Sequence, residues 1–411
     1  MFPLLSLLFS LAQKFFVEFL YIGSTKERKK SVLLEPPALV VMMMFVAEYG
    51  SRTISAKSVR EILEKTFMFI EECMYRYEGE YDRRITVKVS YIDNLLAHFF
   101  VSYRMNYTGG FPVEKLPRNE HYEKIEALQP IWWDVAALVM YVSPNNIDEV
   151  ERILMAVGDY LINGVENEYV KIMRKLYGVF DDDKLEVIKK IENFENLWQL
   201  LIEAIRKHHE EFYSLYWNYV RGRLEKIARY QETILNGSKI VSVLDELSGI
   251  ELKAEITAEP LDVFRFGGGI FGVMTKDLSD VRIGLTSAKQ STLMCIIDAT
   301  HELGHIYTGE LMKSLSNVEE LKKYVYEKTK KKIQSHYVLD EIAVVAFQRI
   351  ATLKVFGRDI EYHGWYRSKN VEYIVDKAQK TTLEEALQSW IEKVKTSDEL
   401  LAEIIKFVEH F

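Results

Sequence analysis

Apolar residues recur at three- and four-residue spacing through most of the chain between residues 55 and 235, the spacing that gathers side chains on one face of an α-helix. The stretch 55–77 begins with Ser55 or Ser58 as a capping residue, and 145–164 shows the same periodicity between Asn and Gly punctuation. The run from 181 to 237 is too long for one straight globular helix, and Asn193 or Asn196 is the expected break. Residues 106–120, with Gly109-Gly110 and two prolines, form the clearest loop. Past Asn236-Gly237 the pattern changes. Val263–Phe266, Ile270–Thr275 and Val281–Thr286 alternate with period two and read as three strands joined by turns, a small antiparallel sheet. Helical periodicity returns from about Ser291 to the end. The chain is therefore expected to be mainly α, with an all-helical part over 1–235 and a second part over 236–411 that combines a small sheet with helices.

The first 23 residues are the most apolar stretch, but Lys14 and Glu18 interrupt it at the i,i+4 spacing of a helix-surface pair. No basic segment precedes the apolar run as a secretory signal would require. It reads as a buried or surface-docked helix, with residues 38–50 as a candidate packing partner and membrane association through 1–23 as the alternative.

Composition narrows the picture. A chain of 411 residues has room for two domains, and 48% hydrophobic with 28% charged residues is globular usage. A net charge of −8 argues against nucleic acid as the partner. Two cysteines, Cys73 and Cys295, cannot supply a disulfide framework or a Cys-rich metal cage, which points to a reducing, cytoplasmic setting. The sequons at Asn106 and Asn236 carry little weight without evidence of secretion. Gly267, Gly269 and Gly272 match a dinucleotide fingerprint, but the segment continues as a strand where that motif needs a helix, so a hairpin turn is expected. The basic run 328–332 reads as a solvated helix face, and His208-His209 as exposed residues on a charged helix.

The chemistry is concentrated in residues 298–310. His301 and His305 are four residues apart, so both imidazoles project from one helical face and can reach one tetrahedral zinc ion. Glu302 is rotated away from that pair and is placed to act as general base toward a metal-activated water. Composition alone would give this five-residue match in roughly one such sequence in fifty. The surrounding helix is apolar on several sides, and burying Glu302 with two histidines is costly unless a metal pairs them.

These residues resemble the zincin metallopeptidases. Leu303, Gly304, Ile306 and Tyr307 fit the extended pattern, while Asp298 departs from it. The resemblance implies a peptide-holding edge strand before the helix, for which 280–286 is the candidate. Thr308 and Leu311 stand where metzincins have Gly and His, which leaves the gluzincin type, whose third ligand is a Glu from a later helix. Glu327 falls away from the apolar stripe Val318, Leu321, Val325 and reads as solvated. Glu341 opens a helix apolar nearly all round and is the preferred ligand, with Asp340 as competitor and His336 as a weaker alternative. Its bland role would be a helix N-terminal carboxylate held by the dipole. The loop 361–368 supplies Tyr366 or His363 as oxyanion donor and faintly resembles the thimet oligopeptidase and oligopeptidase F family. The expectation is a zinc peptidase acting on peptide or protein substrates. The rival is a non-enzymatic zincin-fold scaffold that binds a partner or membrane surface.

Overall fold

A computed structural model describes residues 84–103, 122–262, 272–287, 292–357 and 368–410. The expectations for 1–23, 38–50, 55–77, the loop 106–120, Cys73 and the strand Val263–Phe266 lie outside these residues. The chain is mainly helical with a small mixed sheet of four strands.

Strand β1 (Ile85–Val87) leads to helix α1 (Tyr91–Tyr103). A helical turn at Tyr122–Ile125 continues through a 3-10 segment into α2 (Trp132–Val142). There follow α3 (Ile147–Asn163), α4 (Glu168–Met173), α5 (Asp182–Ile188), α6 (Phe194–His208), α7 (Ser214–Gly237) and α8 (Ile240–Ser248). Strands β2 (Glu255–Leu261), β3 (Gly272–Met274) and β4 (Asp280–Thr286) precede α9 (Thr292–Ser314). The rest is α10 (Val318–Thr329), α11 (Lys332–Phe356), α12 (Lys369–Ala378), α13 (Leu383–Thr396) and α14 (Asp398–His410).

The sheet order is β1-β2-β4-β3, and it corrects the expected antiparallel sheet. β1 and β2 pair in parallel, as do β2 and β4, and only β3 runs antiparallel to its neighbour. Period-two patterning suggests hairpins between sequence neighbours, whereas parallel pairs need long crossovers that no local pattern reveals. β1 sits in a segment whose surroundings read as helix, and β2 lies ahead of the three strands expected from alternation. The strand β4 carries neighbours on both sides. Among the described residues the edge next to α9 is β3, not 280–286 as expected.

Asn236 holds β1 in place. Its side chain is buried, accepts from Ile85 N (3.1 Å) and donates to Ile85 O (2.8 Å). The amide thus acts as a substitute strand partner for one residue of β1, satisfying two backbone groups that would each cost about 1–3 kcal/mol unpaired.

Two apolar cores meet the sheet. One gathers α1 to α6 with Leu261 and Val273, and the other gathers β1, β2 and β4 with α8 to α14 and the end of α7. The helix break falls at Asn193, whose left-handed φ of 55° starts α6. Trp198, Leu201, Ile202, Ile205 and His208 form the buried stripe of α6. The expectation that His208-His209 is exposed is therefore corrected: His208 is buried, stacks on His98 and Phe212, and is pushed down to about 3 by burial. A π turn at His209–Tyr213 shifts the face that the following helix presents.

Beneath the sheet, Asp93 and Glu259 form a buried acid pair with Lys88 Nζ 3.3 Å from Glu259. Burial, then the Asp93 charge, pushes Glu259 well above the usual carboxylate range, with Lys88 opposing; burial raises Asp93 also. Glu259 thus keeps a proton in the native state that the unfolded chain releases near pH 4. Native stability falls as pH rises from there through the folded value. Glu259→Gln is expected to raise the melting temperature more at pH 8 than at pH 5. Melts of both proteins across that range check it, and a larger gain at pH 5 would refute it.

Candidate metal site

Helix α9 carries His301, Glu302 and His305, and the opposite face of the same helix explains why it forms and stays put. Leu303 and Tyr307 are fully buried there, and the Tyr307 hydroxyl donates to Asp245 Oδ1 at 2.6 Å. α9 packs on α11, β4, α7 and α8. Gly304 faces α11, where a Cβ would make ordinary contact with Val344 Cγ1 at 3.4 Å and Phe347 Cδ1 at 3.6 Å. Gln348 Nε2 donates to Ile297 O at 2.8 Å across the same buried contact. Packing and this bond fix which residues of α11 face the histidines.

They are Asp340 and Glu341. Glu341 Oε2 lies 3.5 Å from His301 Nε2, and Glu341 Oε1 lies 3.7 Å from His305 Nε2. Asp340 Oδ2 lies 2.8 Å from His305 Nδ1. The two imidazole centroids are 5.0 Å apart with planes nearly perpendicular. Glu341 sits well inside α11, not at its start, so the helix-dipole role does not apply.

The donor set fits a zinc ion. Bond lengths near 2.0–2.1 Å in tetrahedral geometry put ligand atoms about 3.3 Å apart. The observed 3.5 and 3.7 Å separations are close to that, and donor atoms from all three residues lie within 4.8 Å of one another. Asp340 on Nδ1 makes that nitrogen the protonated one and turns Nε2 toward Glu341, the support a ligating histidine needs. Asp340 thus sits behind His305, outside the three residues whose donor atoms converge.

Burial and neighbouring charges shift the groups of this cluster. Burial raises Glu302 to about 7, with His305 opposing and Glu341 assisting. Burial also raises Glu341, opposed by His305 and by a hydrogen bond from Tyr337. Burial would lower His305, but Asp340, Glu341 and Glu302 outweigh it and hold the imidazolium up at about 10. Three carboxyl groups thus surround the two imidazoles, a donor set that suits a divalent ion.

The base and the sheet edge are adjacent. Gly272, the first residue of β3, leaves room for Glu302: a Cβ there would come within 3.2 Å of Glu302 Oε2. A cavity of about 550 Å³ opens beside Glu302, His305 and Asp340, bounded by β3, α9, α10 and the start of α11. Tyr337 and His336 line it, one turn or more before Glu341. Glu327 is exposed on α10, as the position of its stripe predicted, and Val318, Leu321 and Val325 are buried. Asn317 precedes this helix without a side-chain cap hydrogen bond. Tyr366 and His363 lie outside the described residues. The supporting role of Asp340, the Tyr337 bond and the space left at Gly272 had no signal in the sequence.

No known family model, curated protein or solved structure matches the chain. No helix among the described residues is long and apolar enough to cross a membrane.

Proposed function

We propose that this chain is a zinc-dependent peptidase of gluzincin type, with a zincin-like catalytic part and His301, His305 and Glu341 as the ligands. The observation that carries the reading is the convergence of Glu341 on both histidines while Glu302 faces a cavity edged by β3. The same cavity supports an enzyme over a scaffold, because a scaffold has no need of a base beside open space.

Bound zinc would supply Lewis acidity, acidifying a water and polarising a peptide carbonyl. Glu302 takes a proton from the attacking water and passes it to the amide nitrogen as the C–N bond breaks. Asp340 keeps the proton on His305 Nδ1 throughout. The backbone of β3, an edge among the described residues, offers hydrogen bonds to an extended substrate. Tyr366 or His363 remains our proposed donor to the oxyanion.

The test is metal content with activity. The purified chain is expected to carry about one zinc and to cleave unstructured peptides. Chelation is expected to remove both properties and added zinc to restore them. Metal without cleavage of any peptide would leave the site and remove the enzyme.

A further inference from the structure

Among the described residues nothing requires a glycine at position 309. It lies inside α9, where Gly costs about 1 kcal/mol relative to Ala. It is not among the residues with positive φ, and a Cβ built on it would meet nothing within 4 Å among the described residues. Gly304 on the same helix differs, because Val344 and Phe347 lie against it. Gly309 lines the cavity one turn beyond His305 and on the same face. The space that a side chain would fill is therefore cavity.

The surroundings say what that space accepts. Ile306 and Met312 on α9, Leu315 after it, Val318 on α10 and Ile283 on β4 line the cavity and are themselves buried, so its floor is apolar. The cations at its rim are already matched: Lys313 pairs with Glu310 at 2.5 Å and Lys322 with Glu319 at 2.7 Å. The rim gives no net pull on an acidic side chain. Four residues along a helix span about 6 Å, and an extended peptide advances about 3.3 Å per residue. A side chain one or two positions from a carbonyl at the metal site thus reaches Gly309.

We infer that Gly309 opens a specificity pocket for one bulky apolar side chain of the peptide, Leu or Phe in size, next to the scissile bond. The inference rests on the peptidase reading for the words "scissile bond" but not for the binding itself. Burial of such a side chain favours Leu and Phe over Gly by at least tenfold.

The test uses the full chain and Gly309→Phe, with Gly309→Leu as a smaller plug. Blocked hexapeptides differing only in one residue (Leu, Phe, Gly or Asp), placed at each position in turn, are labelled and bound to the metal-free proteins by fluorescence anisotropy. The same peptides are assayed for cleavage by the zinc-loaded proteins. The expected result is a tenfold or greater preference for Leu and Phe at one position. Both variants erase it with zinc content unchanged and melting temperature not lowered. A preference that survives in both variants, a preference for Asp, or none in the parent would overturn the pocket. Selective binding without cleavage would support the pocket and overturn the peptidase reading.

Discussion

Glu302→Gln is expected to keep about one zinc per chain and to lose hydrolysis by about 10²–10⁴-fold, the contribution of a positioned acid–base group. The side chain touches neither ligand nitrogen as a donor to metal, so the amide preserves the shape of the site. It cannot accept the proton of the attacking water. Glu302 is also buried against β3, where Gln occupies the same volume beside Gly272. Metal analysis and kcat on one peptide, with KM measured separately, check both halves. An unchanged kcat would remove Glu302 from the chemistry.

Glu341→Ala is expected to lose the zinc. It removes one of three protein donors, so affinity falls by more than the about 10–100-fold that loss of a supporting group costs. Asp340→Asn provides that smaller benchmark, since it leaves all three ligands and weakens only the hold on His305 Nδ1. The metal-free Glu341→Ala chain is expected to melt no lower than the metal-free parent, because burial already disfavours the Glu341 charge. Competition with a chromogenic chelator orders the three proteins. Equal affinity of Glu341→Ala and the parent would place the third ligand elsewhere.

How much of this was readable in advance depended on the range of each interaction. The pairing of His301 with His305 is a property of a helix turn and needs no tertiary knowledge. Glu341 stood out because a carboxylate in an apolar helix needs a partner. Whether Asp340 or Glu341 met the metal position depended on how α9 and α11 are rotated against each other. The Gln348–Ile297 bond and the Gly304 face lie at that contact, and neither carries a local signature. The mixed sheet was hidden for the same reason: β1 and β2 pair Ile85 with Ile256 across most of the helical first half. At His208 the opposite error occurred. Arg206, Lys207, Glu210 and Glu211 surround it with charge, and that charge masked its place on the stripe begun by Trp198 and Leu201.

The β1–β2 pair also bears on the order of assembly. β1, the first strand among the described residues, is flanked by one made some 170 residues later, so closing that pair carries the loop-entropy cost of a high contact order. During synthesis Ile85–Val87 emerges long before its partner, and Asn236 reaches the ribosome exit only after α7 is nearly made. A chain cut just after Val87 would keep every metal-binding residue yet expose the outer edge of β2 as a template for sticking to other copies.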